Sequence, residues 1–177
     1  MTHLKPKNAR VLGIAPTTRG VGFAVMEGKD NLVDWGLKTV KGDKNARSLS
    51  HVGNLISHYD PAVVALEDCQ SEESRRSSRI RVLIQEIVSL AEDQNIKVML
   101  FSRGQLSLAI TPDGKWTKQA QAEYLAARFP EELGFQLPPK RKPWMTVDHR
   151  MDMFDAVVLA RRGLGDVGYT GKPRKAK

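Results

Sequence analysis

Three carboxylates are spaced as metal chemistry would require. Glu67 closes the apolar run "AVVALE", so its charge stands at the end of a segment otherwise suited to a buried strand, and it needs a partner there. Asp152 and Asp155 are three residues apart in "MDMFDAVVLA", which sets both on one side of a helix, where like charges repel unless a cation lies between them. On its own that spacing equally describes two solvated acids near a positive helix N-terminus. With a basic chain around them, the three fit phosphodiester hydrolysis by two Mg2+ ions about 4 Å apart, which needs several oxygen ligands converging. A fourth ligand is expected from the tip of the first strand. Ala15 stands there, and a methyl group binds no cation. His149, one turn before Asp152, is a candidate auxiliary group and equally reads as an exposed histidine at a helix start. Asp68 ranks below Glu67, because the next residue of a continuing strand points to the other face.

The elements that must position these groups follow from hydrophobic period. Val11 to Ile14, Val21 to Met26 and Leu32 to Val40 are apolar or alternating runs separated by Pro16 with Gly20 and by "EGKDN", and they predict three consecutive antiparallel strands. "KNARSLSHVGNLISHY" predicts a helix stopped at Asp60 and Pro61, and "AVVALE" a fourth strand buried on both faces. Ile80, Leu83, Ile84, Ile87, Val88 and Ala91 mark a second amphipathic helix, followed by "IKVMLF" as a fifth strand. "TKQAQAEYLAARF" predicts a helix capped by Thr117, "LPPKRKPW" a surface loop, and residues from about Asp148 to Arg162 a final helix with Met151, Phe154 and Val158 on one stripe. A right-handed crossover through the helix near 44 to 59 would pair the first and fourth strands in parallel. The residues just after Ile14 then lie beside Glu67, at the strand ends where α/β proteins place their sites.

The chain has 177 residues, 41% hydrophobic and 27% charged, which fits one soluble globular domain and leaves no room for two large ones. No run approaches the ~18 apolar residues of a membrane span, and "MTHLKPKNAR" lacks the apolar core of a secretion signal. The lone Cys69 fits a reducing compartment, and no Cys or His spacing suits zinc. Net charge is +8, and from Pro138 onward ten Lys or Arg stand against four Asp. Clustered cations of this kind favour a polyanionic partner.

Together these residues resemble the RuvC-type Holliday-junction resolvases of the ribonuclease H-like superfamily. "VLGIAPTTRGVGFAV" is similar to that family's opening hairpin, in which a catalytic Asp follows Gly-Ile and precedes Pro. "DPAVVALED" is similar to its fourth strand, "DGKWTKQAQAEYLAARF" to its helix bearing Lys and Gln, and "DHRMDMFDAVVLA" to its acidic C-terminal helix. The likeness runs from about Arg10 to Arg162. It implies an α/β fold, a ribonuclease H-like five-stranded mixed sheet flanked by helices, with a nuclease domain over 1–162 and a basic flexible tail over 163–177. It further implies that Glu67, Asp152 and Asp155 are metal-binding catalytic residues for two Mg2+ ions, with Mn2+ as a substitute. Ala15 takes the place of the missing Asp. The implied partners are a four-way DNA junction and a second copy of the chain in a homodimer, in the cytoplasm, at the nucleoid or in an organelle, with no membrane involved.

Three departures qualify the likeness. The Lys-to-Gln spacing of the helix after residue 116 differs from the family's, and "DCQSEESRRSSRIR" has no aromatic to wedge a junction centre. That loop instead carries Arg75, Arg76, Arg79 and Arg81, candidates for phosphate contact beside the acids. Lys115, Lys118, Lys140, Arg141 and Lys142 are further candidates, and Trp116 and Trp144 could stack on bases or pack in the core. Ala15 is the third departure. It predicts a form that holds DNA without cutting it, either a natural non-cleaving relative or a deliberate Asp-to-Ala change, and the joint presence of Glu67, Asp152 and Asp155 favours the latter. The stretch "GIAPTTRG" is also faintly similar to the first phosphate loop of actin-like nucleotide kinases, but those need a second such domain.

Overall fold

Strands with large residues on one side and small ones on the other make a sheet whose faces are covered differently. The computed structural model describes residues 9–71, 74–108 and 117–164. Strands β1 (Arg10–Pro16), β2 (Gly20–Glu27) and β3 (Leu32–Thr39) form the antiparallel meander. Helix α1 (Lys44–Tyr59) crosses to β4 (Val63–Glu67), and α2 (Ser78–Asp93) crosses to β5 (Lys97–Phe101). The sheet order is β3-β2-β1-β4-β5, and β1 runs parallel to β4 with Gly13 opposite Ala65. The expected five-stranded mixed sheet is therefore present.

Local chemistry explains the element ends. Asp43 caps α1 by accepting from the Ala46 N–H, and Asp60 ends it in the left-handed region at φ 47° before Pro61. Ser77 caps α2, and Thr117 caps α4 (Lys118–Arg128) as its sequence position predicts. The short helices α3 (Arg103–Leu108) and α5 (Pro130–Leu133) have too few residues to show a period.

Alternation divides the core. Leu12, Ile14, Phe23, Val64 and Leu66 face α1 and α2, whereas Val11, Ala15, Ala24, Val63 and Ala65 face α6 (Met151–Gly163). Two corrections concern α6. Its regular turns begin at Met151 rather than Asp148, because the Asp148 carboxylate bonds the Arg150 N–H and guanidinium in a local turn. Its apolar surface is also far wider than one stripe. Met153, Ala156, Val157, Leu159 and Ala160 are buried as well as Met151, Phe154 and Val158, since the helix lies between the sheet and the helices after residue 116. Gly163 ends α6 and Leu164 is buried, and the rest of the expected 163–177 tail, from 165 on, lies outside the described residues. No described helix is long and apolar enough to cross a membrane.

Candidate nucleic-acid interface at the strand ends

The alternation that sends Val63 and Ala65 toward α6 sends Glu67 there too, two residues on from the Gly13–Ala65 pair and level with Ala15. Ala15, Pro16, Glu67, Arg76, Arg103, Lys118, Gln121 and Asp155 line one pocket of about 210 Å³. The strand-end position inferred for Ala15 beside Glu67 is thus the observed one. Asp152 is placed differently. It faces a narrow crevice with Thr17, Lys38 and His149 rather than the pocket wall.

The buried Glu67 has the partners its position demands. Its Oε2 accepts from Arg76 Nε at 2.7 Å and Nη2 at 2.6 Å, and its Oε1 accepts from Arg103 Nε at 3.2 Å. Asp155 is similarly engaged, with Gln121 Nε2 donating to Oδ1 at 2.7 Å and Lys118 Nζ to Oδ2 at 3.0 Å. Asp152 is partly buried and has no such partner among the described residues. Burial first, and then the neighbouring Asp155 charge, push its carboxyl up to about 6. Asp148 shows the opposite case, because the Arg150 guanidinium holds it down at about 2.

These residues do not fit a pair of Mg2+ ions. Both oxygens of Glu67 and both of Asp155 already accept from side-chain donors, and position 15 offers only a methyl group. Among the described residues no group of three or more His, Cys, Asp or Glu is arranged to hold a metal ion. Glu67 is neutralised by two guanidinium groups and Asp155 by the Lys118 ammonium.

The candidate cations divide by use. Arg79 donates to the Thr17 carbonyl and to Asn45, and Arg81 to the carbonyls of Cys69, Ser74 and Arg76. Both therefore hold the loop and the β1–β2 turn, and Lys44 adds a bond to the Thr18 carbonyl at 2.7 Å. Arg75 is exposed, as are Lys140, Arg141 and Lys142. A larger groove of about 770 Å³ opens alongside, lined by Arg19, Lys118, Lys140, Arg141 and His149 among others. Lys118 borders both cavities. His149 is exposed and lines this groove, and it is not among the residues that line the Glu67 pocket. Trp144 is 77% exposed with Lys142 Nζ 5.4 Å from its ring centroid, so it is not a core residue. Lys115 and Trp116 lie outside the described residues.

Sequence alone does not single out Arg103 and Gln121, which the fold brings to the pocket. A signal for Arg103 existed, since β5 runs parallel to β4 and must end at the same edge, where a residue just past Phe101 joins the site.

No family model and no curated protein matches the chain. Solved structures do. Thermus thermophilus RuvC superposes with a TM-score of 0.62 at 18% identity, covering 86% of this chain and 92% of that one. T. thermophilus RuvC in complex with a Holliday junction substrate gives 0.63 at 17% identity, covering 87% and 92%. The yeast mitochondrial Holliday junction resolvase Ydc2 gives 0.58 at 16% identity, covering 88% and 77%. The chain therefore has the fold of the RuvC-type resolvases, within the ribonuclease H-like class.

Proposed function

We propose that this protein binds four-way DNA junctions on a resolvase scaffold and, in the present form, does not cut them. The observation that carries the reading is a cation-lined groove that shares Lys118 with the strand-end pocket. A backbone laid along Lys140, Arg141 and Arg19 would bring one phosphate to Arg103 and Arg76. Such contacts fix register and orientation without reading bases. Branched specificity would come from two copies of the chain holding the junction arms, a homodimer expected from the fold likeness and measurable by light scattering. The test is competition between four-way and linear duplex DNA at fixed salt, with strand analysis after incubation in Mg2+. Preferred binding of the junction with intact strands is expected. Equal affinity for linear DNA would sink the junction reading.

A nuclease of the Mg2+-dependent junction-cutting kind, disabled only at residue 15, is the second reading. It is favoured by the meeting of Ala15, Glu67 and Asp155 on one pocket wall. Junction cleavage by Ala15→Asp in Mg2+ would establish it; intact strands from that variant would leave the non-cutting binder.

A further inference from the structure

The strand-end pocket disagrees with divalent-metal chemistry in a specific way. Its lining places three cations, Arg76, Arg103 and Lys118, against two carboxylates, Glu67 and Asp155. A metal reaching Glu67 would have to displace three N–H donors, the longest at 3.2 Å. One reaching Asp155 would have to displace Lys118 and Gln121. Glu67 is 5% exposed and the Arg76 side chain 24%, so a displaced Arg76 guanidinium would have to find another acceptor where little water reaches it. Arg76 is additionally tied to the end of β1, next to residue 15, through a 3.5 Å bond to the Pro16 carbonyl.

We propose that Arg76, Arg103 and Lys118 have replaced divalent cations in this pocket, and that they hold a DNA phosphodiester directly and without metal. This rests on the reading of the protein as a DNA binder. The excess of one positive charge in the lining suits a singly charged phosphodiester. Arg103 and Lys118 are each about half exposed, at 50% and 51%, so they can meet a ligand while bonding their carboxylates. Arg76, at 24%, is the inner member that keeps Glu67 compensated. The loss at residue 15 is then one part of a rebuilt site, which argues for a natural non-cleaving protein over a single deliberate change.

The test separates metal from DNA. Mn2+ titration of the DNA-free protein, followed by electron paramagnetic resonance, should show no saturable site in the unaltered chain or in Ala15→Asp. The triple variant Ala15→Asp/Arg76→Gln/Arg103→Gln should gain one. Junction affinity should be equal in Mg2+ and in EDTA at matched ionic strength. Lys118→Gln, on an exposed side chain that folding tolerates, should weaken it by about tenfold. A saturable Mn2+ site in the unaltered chain that disappears in Glu67→Gln overturns the proposal, as does junction binding that is lost in EDTA. Absence of any junction preference in both buffers defeats the functional reading instead, and leaves the Mn2+ result to stand by itself.

Discussion

The two faces of the sheet are packed on opposite plans. Toward α1 and α2 the strands present Leu12, Ile14, Phe23, Val64 and Leu66, which interlock with Val52, Ile56, Leu83, Ile84 and Ile87. Toward α6 the middle of the sheet presents Gly13, Ala15, Gly22, Ala24 and Ala65, with larger Val11, Met26 and Val63 toward its other end, and much of the bulk comes from the helix, in Met153, Phe154 and Val157. A floor of small residues lets a helix backbone descend onto the sheet. Only on this face can Asp155 come down to the strand ends beside Glu67, so the site depends on close approach. Ala15 contributes to that floor as well as lining the pocket, being 3% exposed within the α6 core.

The largest effect should come from raising that floor. A Cβ at Gly13 would lie 2.2 Å from the Ala156 carbonyl oxygen and 2.7 Å from the Ala160 nitrogen, both backbone atoms of α6. Gly13→Ala must push the helix away, at a cost of ~3 kcal/mol or more. Ile84→Val on the other face removes one methylene from an interlocked core and should cost ~1 kcal/mol. Urea unfolding of the two variants measures the contrast. If Gly13→Ala lost less than Ile84→Val, the two faces would not differ as described.

This asymmetry explains what was legible in the sequence. Runs such as "VGFAVM" and "AVVALE" state their period outright, and Glu67 inherits its direction from strand alternation, so sheet, helices and the Ala15–Glu67 juxtaposition could all be read. The wide burial of α6 could not, because it depends on Gly13 and Gly22, residues that carry no period of their own and act by what they omit. The uses of the arginines were hidden for another reason. Arg76, Arg79 and Arg81 lie within six residues where the loop enters α2, yet one clamps Glu67, one the β1–β2 turn and one the preceding loop, and only tertiary contacts tell them apart. Asp152 and Asp155 share a helix side, but a partner on α4 engages only Asp155.

Breaking the clamp ranks next. Arg76→Met leaves Glu67 Oε2, in a residue that is 5% exposed, without its two guanidinium donors, and should cost ~2 kcal/mol. Glu67→Gln should cost less, because Arg103 is half exposed and can turn to water. Thermal melts of both variants test the order. A larger loss in Glu67→Gln would mean that the carboxylate holds the arginines rather than the reverse.

Asp152 is the carboxylate left without a clamp, and its pH response distinguishes it. Its folded pKa is raised from 3.8 to about 6, so between those values the native state binds the proton that the unfolded chain has released. Stability contributed by this group is therefore complete below pH 3.8 and falls as pH rises toward about 6. Asp152→Asn should remove that loss, raising stability above pH 6 by ~1 kcal/mol once partial exposure is allowed for, with little gain near pH 4. Unfolding curves of both proteins across this range provide the check. A gain of the same size at both ends would reject a titrating Asp152.

The smallest change in stability belongs to a residue on neither face. Trp144, 77% exposed beside Lys142, should tolerate Trp144→Ala within ~0.5 kcal/mol of stability. Its effect on DNA should be larger, since stacking of one base on an aromatic is worth ~1 kcal/mol or more. Neutralising Lys140, Arg141 and Lys142 should act differently, flattening the salt dependence of binding by up to about 3 in log–log slope while treating all sequences alike. Titrating both variants at several salt concentrations separates the two modes. A Trp144→Ala protein that lost affinity only through a changed salt slope would place the tryptophan as a support for Lys142 instead of a surface for bases.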